Sequence, residues 1–287
     1  MTLSPSAKID LHMHTTLSDG QLTPTELVRL LHDQGVDVAA ISDHDSTEGL
    51  DEAFAAAEKY PGLRLIPAVE ISADHPTDEK SDVHVLGYFF DYHDAALNER
   101  LASFRDDRLY RAQKMVARLA EVGYPVEWER VQAIAGEAGI GRPHIAEAMV
   151  ERGYIAHIKD AFDGILNDDG MAFVGRSHIT MVDSAKLIQS AGGVAVLAHP
   201  VFIAGYEELL PTIAEMGFVG FEVHYGDFDP DQRKKLLALA GEYDMLPCGG
   251  SDYHAMGHEG ESLPGTAGPP GEVFERLEAL ASAQRPA

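Results

Sequence analysis

The chain has 287 residues, of which 45% are hydrophobic and 24% are charged, and this size suits one large domain or a barrel with a smaller insertion. Its 22 Lys and Arg residues against 47 Asp and Glu residues give a formal net charge of −25. That charge argues against binding to long DNA or to an anionic membrane surface. The single cysteine, Cys248, excludes an internal disulfide and a zinc cluster built from cysteines.

Signals for export or membrane insertion are not found in the sequence. The N-terminal residues lack the basic segment and apolar core of a secretory signal. No apolar run reaches the roughly 18 to 20 residues that a membrane helix needs. We therefore expect a soluble, cytoplasmic protein without a membrane partner, and the sequence leaves its oligomeric state open.

Seven short apolar runs rich in β-branched residues predict strands. They cover residues 9–14, 36–43, 63–72, 82–90, 193–199, 218–224 and 245–251. Helical stretches follow several of them, and the first starts near Thr23 and Pro24, where threonine can cap and proline can occupy the first helical position. Others cover residues 50–60, 183–191 and 229–242. This alternation predicts an α/β fold with a parallel sheet, and seven repeats favour a (β/α)7 barrel over the alternative of an open sheet.

The strand–helix alternation stops in the middle of the chain. A charged helical stretch over residues 96–121 precedes shorter helical pieces at 131–135, 143–152 and 159–167. A block of this length is too long for a loop. We therefore predict a barrel domain of residues 1–100 and 176–287, with a helical insertion of residues 101–175 that covers one end of it. A last surface helix is predicted over residues 272–283.

Residue types that bind metals cluster where the predicted strands end. His12 and His14 lie two apart on one strand and therefore share a face, and Asp252 and His254 form a second spaced pair. With the further candidates, the set is His12, His14, Asp19, His44, Glu70, His84, His199, Asp252 and His254. In β/α barrels the chemistry lies at these strand ends.

Each of these residues has an ordinary structural explanation when it is taken alone. A single histidine on a strand is more often a hydrogen-bonded core or rim residue than a ligand, and an aspartate before glycine is typical of turns. Recurrence at six strand ends favours a metal site instead. Imidazoles and carboxylates without thiolates suit Zn, Mn or Fe, and nine ligands fit two or three ions.

The motifs around these residues resemble the PHP (polymerase and histidinol phosphatase) family of metal-dependent phosphoesterases. The resemblance rests on Ile9-Asp10-Leu11-His12-Met13-His14, Ser18-Asp19-Gly20, Ser42-Asp43-His44-Asp45, Val69-Glu70, Val83-His84-Val85-Leu86-Gly87, Ala198-His199-Pro200 and Ser251-Asp252-Tyr253-His254. In the insertion, Arg105-Asp106-Asp107-Arg108 and Arg142-Pro143-His144 resemble the bacterial subgroup of 3′,5′-nucleoside bisphosphate phosphatases and 5′→3′ oligoribonucleases. The family fold is a distorted barrel of seven strands.

This resemblance implies a division of the ligands among up to three divalent ions, commonly manganese, with zinc or iron as alternatives. The implied sets are His12, His14, Glu70 and Asp252 for the first ion, Glu70, His84 and His199 for the second, and Asp19, His44 and His254 for the third. The implied substrate-binding residues are Asp19, His44, Arg105, Asp106, Asp107, Arg108, His144 and His254. One departure is His224, where a small residue is more usual and where histidine could change the pocket wall.

The resemblance also implies a reaction. The expected enzyme removes the 3′-phosphate of a nucleoside 3′,5′-bisphosphate to give a nucleoside 5′-monophosphate, and it also shortens small 5′-phosphorylated RNAs from the 5′ end. The expected nucleophile is a metal-bound hydroxide rather than a side chain. Arg105 and Arg108 share a helix face and suit a second phosphate, although an exposed face paired with Asp106 or Asp107 is the alternative on spacing alone. His178 is a further candidate to line the cleft.

Three other functions remain open at this stage. Histidinol-phosphate phosphatase and other small-molecule phosphatases use similar metal-loaded barrels, but the arginine segments favour a bisphosphate. Amidohydrolysis also uses histidines at strand ends, and the third ligand set, Asp19, His44 and His254, argues against it. A non-catalytic metal-binding regulatory module is disfavoured because none of the nine ligand positions is missing.

Overall fold

The structure is a computed structural model that describes residues 3–4, 6–77, 82–136, 140–167, 170–174, 179–257 and 260–284, with the side chain of Asp82 left out. His178, a candidate for the cleft wall, lies outside the described residues. Among the residues that are described, no helix combines the length and the apolar character needed to cross a bilayer.

Seven strands form one sheet, which confirms the predicted strand count. They are β1 (Ile9–Asp10), β2 (Val38–Ile41), β3 (Arg64–Asp74), β4 (Asp82–Tyr88), β5 (Val194–Leu197), β6 (Phe218–Glu222) and β7 (Leu246–Cys248), and their order in the sheet follows the chain. Most are shorter than the apolar runs that predicted them, and β1 ends before His12 and His14.

The prediction of an all-parallel sheet is wrong at β4. This strand runs antiparallel to both β3 and β5, whereas the other neighbouring pairs are parallel. Residues 75–81 are too few to form the crossover that a parallel neighbour requires. The reversal has a consequence for the site, because His84 lies near the start of β4 and so reaches the edge where the parallel strands end.

The first and last strands approach each other at this same edge. A parallel bridge joins Met13 to Tyr253, and the His14 amide donates to the Tyr253 carbonyl at 3.0 Å. A Cβ atom on Gly250 would lie 2.3 Å from the amide nitrogen of His12, so only glycine allows the two chains to approach this closely. The sheet therefore curls until the segments that follow β1 and β7 meet.

Ten helices accompany the sheet among the described residues. They are α1 (Pro24–Asp33), α2 (Leu50–Ala57), α3 (Ala95–Glu121), α4 (Trp128–Ala135), α5 (Arg142–Glu151), α6 (Ile158–Phe162), α7 (Met181–Ser190), α8 (Tyr206–Leu209), α9 (Pro230–Glu242) and α10 (Gly271–Gln284). Thr23 caps α1 as predicted, since its side chain accepts from the Glu26 amide at 3.2 Å. Helix α6 is shorter than predicted, and α8 was not predicted.

Helix α3 links the barrel to the helices that follow it. Leu97, Leu101 and Phe104 pack into the apolar cluster around β3, β4 and β5. About three to four turns beyond Phe104, Met115 and Leu119 pack into a separate apolar cluster with α4, α5 and α6. Because one continuous helix contributes to both clusters, it connects the barrel to the helical block, and Asp107, Arg108 and Arg111 between the two contacts line the cleft.

Candidate metal centre

Four side chains from three strand ends form the most enclosed part of the site. The Nε2 atoms of His12 and His14 each lie 3.2 Å from Oε2 of Glu70. The same two nitrogens lie 3.2 and 3.1 Å from Oδ1 of Asp252. Donor atoms at this spacing suit the surroundings of a single small cation. His12, His14 and Glu70 are almost completely buried.

A carboxylate outside this set orients His12. Nδ1 of His12 lies 3.1 Å from Oε1 of Glu222, which is fully buried and also accepts from the backbone amide of His199 at 2.8 Å. A carboxylate oxygen accepts the Nδ1 proton, and this contact turns Nε2 of His12 toward Glu70 and Asp252. Glu222 was not among the predicted site residues, although it follows the same pattern of a charged residue at the end of an apolar strand, here β6.

Glu70 connects a second group of imidazoles to the first. Its Oε1 atom lies 2.8 Å from Nδ1 of His84 and 3.2 Å from Nε2 of His199. Its Oε2 atom, besides facing His12 and His14, lies 3.1 Å from Nδ1 of His44. The two oxygens therefore face two different sets of donors, which is the arrangement of a carboxylate that bridges two ions.

Asp19 forms the centre of a third group. Its Oδ1 atom lies 3.3 Å from Nε2 of His254, and its Oδ2 atom lies 3.8 Å from Nε2 of His44. Nδ1 of His254 lies 2.8 Å from the Asp252 backbone carbonyl, which accepts the Nδ1 proton and leaves the lone pair of Nε2 on the side of Asp19, where both atoms could bind the same cation. These side chains are partly exposed to the cleft, unlike the first group.

Buried nitrogen and oxygen atoms without a hydrogen-bond partner indicate whether cations fit this arrangement. Seven donor atoms of the site are buried and have no hydrogen-bond partner among the described residues: His12 Nε2, His14 Nε2, Asp19 Oδ1, His44 Nδ1, Glu70 Oε2, His84 Nδ1 and Asp252 Oδ1. Each unsatisfied buried group costs about 1–3 kcal/mol. Since all seven converge on one small region, divalent cations fit the donor set.

The ionisation of the carboxylates agrees with this fit. Burial on its own would raise the pKa of Glu70, but the imidazoles of His44, His84 and His12 outweigh it and hold that pKa well below its usual value. Burial would also raise the pKa of Asp252, but the imidazoles of His12 and His254 outweigh it and hold that pKa well below its usual value. Both side chains are therefore anionic near neutral pH and available as ligands.

Two further groups hold the ligand loops in place. Buried Asp43 accepts hydrogen bonds of 2.7 Å from both the amide and the hydroxyl of Thr15 and from the Ser18 hydroxyl, which pins the loop that carries Asp19. The Tyr225 hydroxyl donates to Oδ2 of Asp252 at 2.6 Å, so Oδ1 remains directed at His12 and His14. Asp252 adopts a backbone φ of 54°, a strained value that is typical of functional positions.

A cavity of about 220 Å³ opens between the site and the inserted helices, and Asp19, His44, His84, Asp107 and Arg108 are among its lining residues. Arg108 donates to Oδ2 of Asp45 at 2.5 Å. Arg105 lies on the same face of α3, as predicted, but it pairs with Glu48 and lines a separate cavity. The carboxylates that pair with these arginines are thus Asp45 and Glu48. Asp106 is exposed and lines neither cavity.

His144 lies at the start of α5 and is buried. Its Nδ1 atom accepts from the Gly141 amide at 3.0 Å, so in the neutral ring the proton is on Nε2. Burial lowers the pKa of His144, and the Asp19 carboxylate opposes this effect without reversing it. Near neutral pH the ring is therefore neutral and offers one N–H donor.

Two more guanidinium groups line the same cavity as Arg108. Arg142 closes it from α5, and Arg111 lies one turn beyond Arg108 on α3, where its Nε donates to the Val174 carbonyl at 2.6 Å. Arg111 was not among the predicted site residues, although its spacing of three residues from Arg108 places both on one helix face. His224 is half-buried and lines neither of the cavities beside the site.

Comparison with known proteins identifies the family. The model of the PHP domain matches residues 10–136. A 5′-3′ exoribonuclease of Haemophilus influenzae is 34% identical over 86% of this chain and 90% of its own length. A 3′,5′-nucleoside bisphosphate phosphatase of Chromobacterium violaceum is 32% identical over 90% of each chain. This chain belongs to the PHP family. Like those relatives, the PHP protein is a phosphoesterase hydrolase.

The solved structures agree with this assignment. A proposed metal-dependent phosphoesterase of Bifidobacterium adolescentis superposes on this PHP protein with a TM-score of 0.82 and 33% identity, and the match covers 96% of each chain. The expected α/β fold with a distorted seven-strand barrel is therefore confirmed, apart from the direction of β4.

Proposed function

We propose that this PHP protein hydrolyses the 3′-phosphate of nucleoside 3′,5′-bisphosphates and releases nucleoside 5′-monophosphates. We propose that the same site removes the 5′ nucleotide from short 5′-phosphorylated RNAs. The proposal rests on one observation. The nine candidate metal ligands, from His12 to His254, form a cage that lies beside a cavity lined by Arg108, Arg111 and Arg142. The names of the two relatives describe the same pair of activities.

The nine residues proposed as ligands would hold two or three divalent cations, with manganese as the first candidate and zinc or iron as alternatives. When bound, such cations lower the pKa of water and neutralise charge on phosphoryl oxygens. Glu70 would bridge, since its two oxygens face different imidazole groups. The donor set contains no thiolate, because Cys248 is completely buried in the apolar cluster around β7, and oxygen and nitrogen donors suit these metals.

The arginine cavity would hold the phosphate that does not react. Arg108 is oriented by Asp45, whose backbone carbonyl accepts a hydrogen bond of 2.9 Å from Arg105. Guanidinium groups recognise phosphate through paired hydrogen bonds. His144 would contribute the N–H at Nε2, and Asp107 would border the ribose. Asp19, His44 and His254 are partly exposed to the cleft and would contact the reacting phosphate as well as a cation.

The inserted helices would complete the substrate pocket. Phe104, Met115 and Phe162 give the arginine cavity an apolar wall, which suits the nucleoside between the two phosphates. We therefore propose that residues 101–175 act as a cap that selects the substrate, with the barrel supplying the chemistry. We also propose a cytoplasmic location, which suits a chain that forms no internal disulfide.

Product analysis tests this proposal. Manganese-loaded protein is incubated with adenosine 3′,5′-bisphosphate, and the products are separated by chromatography. Adenosine 5′-monophosphate and one equivalent of phosphate are expected, and chelator-treated protein is the control. Adenosine 3′-monophosphate as product, or faster release of phosphate from histidinol phosphate than from the bisphosphate, would contradict the proposed specificity.

A further inference from the structure

Phe202 presents an exposed aromatic ring beside the metal cage. It lies in the short helical turn Pro200–Phe202 that directly follows His199, and 61% of the residue is exposed. Its ring centroid lies 5.8 Å from that of His199. Since Nε2 of His199 lies 3.2 Å from Glu70, the Phe202 ring lies next to one of the nine proposed ligands.

Buried aromatic residues hold this ring in position. The centroid of Phe202 lies 5.8 Å from Tyr225 and 5.9 Å from Phe228, and both of those side chains are buried. Tyr225 also donates to Asp252, so one residue that packs against Phe202 also holds a proposed metal ligand in place. The ring is thus mostly exposed but supported by buried aromatic side chains, which suits stacking on a planar group.

Phe202 and the arginine cavity lie on different sides of the cage. Arg108 contacts Asp45 and Ser72, which follow β2 and belong to the end of β3. Phe202 follows β5 and packs against Tyr225, which follows β6. A nucleotide whose 5′-phosphate occupies the arginine cavity places its 3′-phosphate at the cage, and any nucleoside beyond that phosphate extends toward β5 and β6.

We infer that Phe202 stacks on the base of the second nucleotide of an RNA substrate, the one joined through the scissile phosphate. This inference rests on the proposed function and deepens it. In the step concerned, a water oxygen bonds to phosphorus, the bond between phosphorus and the 3′-oxygen breaks, and that oxygen takes a proton. A 5′-phosphorylated dinucleotide thus gives two nucleoside 5′-monophosphates, and the second keeps the phosphate.

The charge of the neighbouring surface indicates why stacking supplies this recognition. The described residues that line the cavity beside Tyr225 include Asp227 and Glu261 and contain no Lys or Arg. Such a surface repels further phosphates of a long strand. Stacking on one base is sequence-tolerant and independent of phosphate charge, so the second nucleotide is recognised and the following ones are not.

The test compares two substrates that differ only in the second base. One is the 5′-phosphorylated adenosine dinucleotide, and the other carries an abasic ribose in place of the second adenosine. For wild-type protein, kcat/KM is expected to be roughly 5- to 100-fold higher for the dinucleotide. In Phe202→Ala this ratio is expected to fall to about one, and Phe202→Trp is expected to keep it. Tyr110→Ala, which removes another exposed ring on the outer part of α3, is the matched control and keeps the ratio.

Each outcome decides between the proposals. A wild-type ratio of about one, or a high ratio that persists in Phe202→Ala, overturns the role of Phe202. Adenosine 3′,5′-bisphosphate has no second base, and its hydrolysis is measured in parallel. Wild-type protein that hydrolyses neither the bisphosphate nor the dinucleotide overturns the proposed function, and the role of Phe202 with it.

Discussion

Glu222 holds the ring of His12 in one tautomer, through a 3.1 Å contact between two side chains that are both fully buried. The same carboxylate accepts from the His199 amide, so it fixes one residue from the first ligand group and the backbone of one from the second. A residue outside the proposed ligand set therefore orients two of the proposed ligands.

The first prediction concerns this carboxylate. In Glu222→Gln one of the two acceptor oxygens becomes an NH2 group, so either His12 Nδ1 or the His199 amide loses its acceptor. Loss of such an orienting partner typically costs about 10- to 100-fold in metal affinity or activity. Manganese titration and kcat measurements should show a loss of this size. The exposed Glu215→Gln is the control, and equal manganese affinity in both variants would show that Glu222 has no orienting role.

The second prediction concerns the number of bound ions. Asp19 lies in a group with His254, and this group shares His14 and His44 with the residues around Glu70 but does not include Glu70 itself. Asp19→Ala is therefore expected to lower the metal content by one ion per chain while the other ions remain. Elemental analysis of manganese-loaded protein measures this directly. Asp227→Ala removes a carboxylate from the same cavity wall as Asp19 without removing a proposed ligand, and an equal metal content in both variants would argue against the third ion.

The sequence predicted much of this site because strand geometry makes it local. His12 and His14 share a face through the period of two of a strand, and the residues after neighbouring parallel strands meet at one edge. The sequence could not show which donor set each residue joins. Asp252 and His254 are a spaced pair in the sequence, but Oδ1 of Asp252 faces His12 and Nε2 of His254 faces Asp19.

What the sequence did not reveal depends on contacts between distant segments. The direction of β4 follows from the short connection after β3, and that connection has no distinctive motif. Arg105 and Arg108 look equivalent on a helix face, but Glu48 takes one of them into a separate cavity and Asp45 keeps the other in the cleft. The role of Glu222 could not be predicted, because it depends on contact with His12, which lies 210 residues away in the chain.

The third prediction concerns recognition of the second phosphate. Arg111→Gln is expected to lower kcat/KM for adenosine 3′,5′-bisphosphate by roughly 10- to 100-fold, the effect of one charge-assisted hydrogen bond. Activity on adenosine 3′-monophosphate, which lacks the 5′-phosphate, is expected to change little. The comparison of the two substrates in steady-state kinetics isolates the phosphate contact.

Arg118→Gln controls for the structural part of this effect. Arg118 donates to the Phe173 carbonyl much as Arg111 donates to Val174, but it is exposed and lies outside the cavity. A comparable loss of bisphosphate activity in both variants would mean that Arg111 only ties the insertion together. The Arg105→Gln variant tests the alternative that Arg105 binds the 5′-phosphate. That alternative predicts a larger loss of bisphosphate activity in Arg105→Gln than in Arg111→Gln.

The fourth prediction concerns the pH dependence of stability. Burial, and to a smaller extent the charge of Arg233, lowers the pKa of His224. Below the unfolded-state pKa of about 6.5, the unfolded chain therefore binds a proton that the folded ring resists, and the free energy of unfolding falls as the pH falls. The contribution is a fraction of the about 1.4 kcal/mol per pH unit that one proton supplies, because the ring is partly solvated.

Urea unfolding at pH 7.5 and 5.5 checks this prediction. The loss of unfolding free energy between the two pH values is expected to be smaller in His224→Gln than in the wild type, since all other titrating groups are shared. Both proteins are measured in chelator, so that release of cations does not contribute to the difference. A larger loss in His224→Gln would show that the folded state stabilises the charged ring.

The central claim is that nine side chains at the mouth of the barrel surround a small group of divalent cations. Anomalous X-ray scattering from crystals of manganese-loaded protein tests it most directly. We expect two or three peaks, one between His12, His14 and Asp252, with Glu70 shared between two of them. A map without peaks within about 2.5 Å of these donor atoms, at a manganese concentration that supports activity, would contradict the account.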